Sequence, residues 1–165
     1  MTHQPARLQT LLLVHAALLS ACAERTISER ERIHHDDFEY SVTRVDKLER
    51  IGKVAARGVF YAVTFMVENH ARRVSHAWHN HTAYLVDQRG HTYDNDPAAQ
   101  RALEAIKPFG LKGRYLTMPG AQDTTVFVFD VPREVREPYL KVRGEFLMGD
   151  LFDGNQYKRT RVILF

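Results

Sequence analysis

The stretch Val59-Phe60-Tyr61-Ala62-Val63-Thr64-Phe65-Met66-Val67-Glu68-Asn69 decides the fold. It is rich in β-branched and aromatic residues, which suit the pleated, half-buried surface of a sheet. Gly58 opens it and the polar pair Asn69-His70 closes it. Side chains alternate along a strand. Tyr61, Val63, Phe65 and Val67 therefore share one face, and Phe60, Ala62, Thr64 and Met66 share the other.

The same reading extends outward in both directions. Upstream, Phe38, Tyr40, Val42 and Val45 are separated by polar residues and predict a first strand with one wet face. Residues 46–57 read as a polar connection. Downstream, residues 70–75 read as a turn, followed by a histidine-rich segment. Tyr84 and Val86 then alternate with Ala83 and Leu85. Asp87-Gln88-Arg89-Gly90 is a hairpin turn, with Gly90 supplying the positive φ, and His91-Thr92-Tyr93 returns from it. Residues 98–106 predict two turns of helix with Ala102, Leu103 and Ile106 facing inward, stopped by Pro108 and Gly110. Weaker strand signal covers residues 111–118, and Pro119-Gly120 is a turn. Residues 124–131 form a second strong strand, residues 139–144 alternate again, and residues 149–155 read as a loop. Residues 157–165 supply a last strand. About seven strands and at most one short helix predict an all-β fold, an immunoglobulin-like antiparallel β-sandwich.

Three of these pieces carry a family resemblance. They are the long strand ending in Asn69, the hairpin from Tyr84 to Tyr93, and Met118-Pro119-Gly120 followed by Val126-Phe127-Val128-Phe129-Asp130-Val131-Pro132. Together they resemble the telokin-like, immunoglobulin-like domain of bacterial exported proteins and lipoproteins known as a domain of unknown function (DUF4352-like). The resemblance runs from Phe38 to the C-terminus. It implies a sandwich that binds or scaffolds, and it brings no catalytic residues.

The N-terminal stretch adds a second resemblance. Leu11-Leu12-Leu13-Val14-His15-Ala16-Ala17-Leu18-Leu19 is apolar but short of the ~20 residues that span a bilayer as a helix. It has the length of a signal h-region behind the single charge of Arg7. Leu19-Ser20-Ala21-Cys22 follows, and it resembles the lipobox of bacterial lipoproteins. Residues 1–21 are then a cleaved lipoprotein signal peptide, and Cys22, the only cysteine, carries palmitate-like chains. Residues 22–37, dense in Glu and Arg, become a flexible lipidated tether, and residues 38–165 form the sandwich. Two alternatives are a helix packed on the domain around a buried Cys22, and general signal cleavage leaving a free thiol. The second would burden an exported protein with an oxidisable group. Ala23 is not acidic. By resemblance to enterobacterial sorting, this favours the periplasmic face of the outer membrane in a Gram-negative host.

Composition narrows the function. Cleavage would leave 144 of 165 residues, one ordinary domain, and would lower the net charge from +3 to +2 by removing Arg7. That balance, with no Lys/Arg block, gives no support for nucleic acid. There is no Gly-x-Ser-x-Gly, no phosphate loop and no Cys/His nucleophile pair, so no catalytic residue is assigned and no enzyme is expected.

The remaining chemistry lies in histidines. His76, His79 and His81 form a His-x2-His-x-His cluster, with His70 upstream and His91 across the hairpin. Imidazole is a common ligand for zinc and copper. If the segment is extended, His79 and His81 share a face and His76 opposes them; in a loop all three converge. The competing reading is a solvated loop with Trp78 over the sandwich edge. His34-His35-Asp36-Asp37 in the tether and Asp94-Asn95-Asp96 are further oxygen and nitrogen sets. They read as solvated chain and as a turn, respectively. The expectation is a lipid-anchored, non-catalytic module that binds an envelope protein through loops or a sheet edge. The alternative is an envelope lipoprotein binding Zn or Cu through His76, His79 and His81.

Overall fold

The long apolar stretch becomes the centre of β4, Val54–Asn69, which lies antiparallel to β3, Phe38–Ile51. Ile51 pairs with Val54, so Gly52-Lys53 alone make the turn, and Gly52 takes φ +56° there. The computed structural model describes residues 24–106, 115–143 and 156–165. The signal peptide, Leu19, Ser20, Ala21 and Cys22, and the loop expected at residues 149–155, lie outside the described residues.

Two sheets face each other. One is β2 (Ile33–His35), β3, β4 and β9 (Gln122–Val131), in that order. The other runs β1 (Arg25–Ser28), β11 (Thr160–Ile163), β10 (Tyr139–Val142), β6 (Ala83–Val86) and β7 (Thr92–Tyr93). A separate ribbon pairs β5 (His76–Trp78) with β8 (Tyr115–Thr117). The fold is the expected β-sandwich.

The alternation in β4 divides as its sequence requires. Tyr61, Val63, Phe65 and Val67 enter the main core with Val42, Phe127, Phe129, Leu85, Leu140 and Val162 from both sheets. The opposite face is apolar as well because a helix covers part of it. Phe60, Ala62, Val126 and Val128 pack beneath α1, Pro97–Ile106. Asp96 caps that helix, its Oδ1 accepting from the Ala98 and Ala99 amides at 3.0 and 2.9 Å. Pro97 at the first helical position needs no amide partner. The helix also closes the edge of β9. The side-chain amide of Gln100 donates to the Val126 carbonyl at 2.9 Å and accepts from the Val128 amide at 3.1 Å. A side chain thus stands where a neighbouring strand would, which blunts edge-to-edge pairing.

Several expectations are corrected. The flexible tether at residues 22–37 is not observed over its described part: β1 and β2 lie there, with Ile27, Ile33 and His35 buried. Edge strands expose one side, so charge was compatible with strand. The polar connection at residues 46–57 is continuous β-hairpin instead. Its backbone is satisfied by cross-strand pairing while most of its side chains face water, and Leu48, Val54 and Ala56 support α1. The described residues hold eleven strands rather than about seven, since short edge strands escape a periodicity test. Among the described strand pairs, β1 with β11 is parallel. Residues 156–159 form a helical turn, α2 (Gln156–Arg159), before β11. Ile106 is 57% exposed rather than inward; its side chain reaches toward the Gly52 turn. Among the described residues, no helix is long and apolar enough to cross a membrane.

Candidate functional site

The histidine cluster lines a cavity of about 380 Å³ with β2, the start of β3 and Arg143. His76 belongs to β5, which pairs with β8 through His76–Thr117. His79 and His81 follow in a turn closed by the Thr82 amide donating to the His79 carbonyl at 2.9 Å. The segment is therefore part strand and part turn. All three histidines line the cavity, joined by His35 of β2, which the tether reading had left in solvent.

Asn69 positions this segment. Its side-chain amide donates to the carbonyls of Val74 and Thr117 at 2.8 and 3.0 Å, and its Oδ1 accepts from the Ala71 amide at 2.9 Å. One buried side chain thereby ties the end of β4 to both sides of the β5–β8 ribbon. Gly120, at φ +75°, completes the link through its amide to the Asn69 carbonyl at 2.8 Å.

The inner wall is aromatic. His35 stacks on Tyr157 with ring centroids 3.7 Å apart, and His76 sits 5.1 Å from Phe38 and 5.3 Å from Tyr40. Arg143 joins the lining, paired with Asp94 at 2.6 Å and lying over the Tyr84 ring at 4.1 Å. Val74 lines the cavity and is 59% exposed; Leu116 and Met118, which flank Thr117 at the end of β8, are 45% and 57% exposed. Leu116 pairs across the ribbon with Ala77, a lining residue, and the hydroxyl of Ser75, another lining residue, lies 3.6 Å from the Met118 sulfur.

Burial, then the charges of His35 and His79, hold His76 down to about 4. The imidazole is neutral in the folded protein at neutral pH. Its folded value lies below the unfolded one, so the unfolded chain takes up the proton first as pH falls. Stability present above about 6.5 is lost toward 4. Between pH 7 and pH 5 the expected loss from this group is about 2 kcal/mol. Urea unfolding at the two pH values should show that loss shrinking in His76→Gln. An equal loss in both proteins would contradict the burial of a neutral His76.

The other candidates resolve differently. His91 is remote from the cavity; its Nδ1 lies 2.9 Å from Asp87. Burial opposes ionisation of Asp87, yet His91, the Arg89 amide and Tyr93 hold its carboxyl well below the usual range. Asp94, Asn95 and Asp96 serve Arg143, Gln100 and the helix cap, respectively. His34 is exposed beside Glu39. Among the described residues, one set brings three ligand atoms within 4.8 Å of one another: Glu39, Glu68 and His70. His76, His79 and His81 share a cavity wall without forming such a set. Glu39 and Glu68 were missed because 29 positions separate them, and only strand register makes them partners.

No family model matches this chain, and no curated protein matches it. Solved structures do resemble it. A conserved hypothetical protein from Bacillus anthracis is 19% identical, with a TM-score of 0.58 over 73% of this chain and 92% of that one. A secreted protein from Mycobacterium tuberculosis is 15% identical, with a TM-score of 0.54 over 73% and 90%. An uncharacterized β-sandwich protein from Clostridium difficile 630 is 13% identical, with a TM-score of 0.50 over 86% and 95%. The chain shares its β-sandwich architecture with these bacterial proteins.

Proposed function

We propose that this protein is a bacterial cell-envelope lipoprotein of the DUF4352-like kind, whose sandwich is a non-catalytic binding module. Cys22 would carry the lipid and hold the domain at a membrane, at the periplasmic face of the outer membrane in a Gram-negative host. The observation that carries the binding role is the histidine-lined cavity with its exposed apolar rim. Val74, Leu116 and Met118 are exposed apolar residues of the lip, and grouped exposed apolar side chains are typical of interaction surfaces. The partner is an envelope protein that docks an apolar side chain or turn over the lip.

Chemical crosslinking in intact cells tests this reading. The expected result is a discrete adduct from the native chain that is lost from the Val74→Glu/Met118→Glu variant. Both positions are exposed, so folding should change by no more than about 0.5 kcal/mol per site. The same adduct from both proteins would contradict binding at the lip.

A second reading is favoured by the placement of His76, His79 and His81 on one wall. There they would take up Zn²⁺ or Cu²⁺ after side-chain rearrangement. Alanine at all three should then abolish metal uptake while leaving the protein adduct intact.

A further inference from the structure

The outer face of the four-stranded sheet carries a second constellation, separate from the cavity. Register sets Glu39 of β3 directly opposite Glu68 of β4, and His34 of β2 opposite Glu39. Two like charges placed directly across a sheet repel, so this row requires a cation. Arg32 supplies one: its Nη1 donates to Glu39 and, at 2.8 Å, to Glu68. Both bonds go to the Oε2 atoms. His70, just past the end of β4, sets its Nε2 3.6 and 3.7 Å from those same two oxygens. Three ligand atoms thus come together where one arm of the Arg32 guanidinium bridges the two carboxylates.

We propose that Glu39, Glu68 and His70 form a site for a divalent transition metal of the Zn²⁺ class, with Arg32 as a built-in competitor for the seat. Tetrahedral bonds of about 2.0–2.1 Å put neighbouring ligand atoms roughly 3.3 Å apart. The two spacings from His70 exceed that by a few tenths of an ångström and all three atoms lie within 4.8 Å of one another, within reach of side-chain rotations. His34, whose Nδ1 lies 3.8 Å from the other oxygen of Glu39, Oε1, is placed to swing in as a fourth ligand. The set is one or two imidazoles with two carboxylates. That suits Zn²⁺, Co²⁺, Ni²⁺ or Cu²⁺, and it lacks the six to eight oxygens that Ca²⁺ takes. Arg32 is half exposed and can swing into water, so a dication replaces a monocation where two carboxylates meet.

This assignment is independent of the lipid anchor and of the cavity. Its test is a calorimetric titration of the full-length chain in detergent with Zn²⁺ at neutral pH, repeated with Co²⁺ to read the visible ligand-field bands. One equivalent should bind. His70→Ala and Glu68→Gln should each weaken it by roughly tenfold or more. Arg32→Ala should strengthen it by about threefold to fivefold, the scale of releasing an exposed ion pair. A merely structural role for Arg32 would not give that gain. His70 is exposed, so His70→Ala reads the site without threatening the fold. Absence of saturable binding would overturn the proposal. So would binding that survives His70→Ala and Glu68→Gln but disappears when His76, His79 and His81 become alanine, and that result would move the metal to the cavity.

Discussion

Replacing Cys22 by serine, behind a leader cleaved by the general signal peptidase, should move the protein from the membrane pellet to the soluble fraction. The reason is additive. Each buried methylene contributes about 0.8 kcal/mol, a single myristoyl-length chain binds with a constant of only about 10⁴ M⁻¹, and several chains anchor stably. Removing all of them should reduce membrane partitioning by more than about 10⁴-fold. The sandwich should not compensate, because exposed large apolar side chains are few among its described residues and its net charge is mild. The expected geometry also differs from a long leash. β1 begins at Arg25, three positions after Cys22, so at most about 10 Å of extended chain would separate lipid from sheet. The sheet edge formed by β1 would then lie nearest the membrane. Fractionation of cells expressing the two forms checks this. Equal amounts of both forms in the pellet would contradict lipidation at Cys22.

The second large effect is structural. Gly58→Ala should lower the stability of the full chain by about 3 kcal/mol or more. A Cβ at this position would lie 2.0 Å from the Val131 carbonyl oxygen and 2.8 Å from Pro132 Cα. These are backbone atoms, so no rotamer change relieves the clash; β4 and β9 would have to part next to the Val59–Val131 pair. Asp130 fixes the approach. Its carboxylate accepts from the Gly58 amide and the Arg57 amide, each at 3.0 Å. Burial works against ionisation, but these amides and the Arg57 guanidinium hold the carboxyl below its usual range. Gly90 makes the control. It has φ +85° with open space around its Cβ position, and asparagine tolerates that conformation. Gly90→Asn should therefore cost far less than Gly58→Ala. Urea midpoints measured at constant slope would decide it, and a mild Gly58→Ala would show that the two strands are not held this closely.

Much of the fold was legible from the chain. The two strong strands at residues 59–69 and 124–131 fall inside β4 and β9, the turn at Asp87 is where its residues placed it, and the helix expected over residues 98–106 is α1, Pro97–Ile106. Local signals sufficed there because turn residues and apolar spacing act over a few adjacent positions. The failures share a different cause. The hairpin at residues 46–57 turns most of its side chains to water, and β1 and β2 each bury only one or two of theirs; the pattern of a mostly solvated strand resembles that of a polar loop. The site was half visible. His76, His79 and His81 stood out by density, but His35 joins them only because β2 lies beside β3 and Tyr157 stacks on its ring. Glu39 and Glu68 meet through register across the β3–β4 hairpin, which sequence spacing does not display.

The central claim is that partners are bound at the lip of the histidine-lined cavity. The most direct test is photo-crosslinking in living cells from a photoreactive phenylalanine analogue placed at Met118, compared with one placed at Arg101 on the exposed side of α1. A single envelope-protein adduct from position 118, absent from position 101, is the predicted result. No adduct from position 118, or the same adducts from both positions, would contradict it.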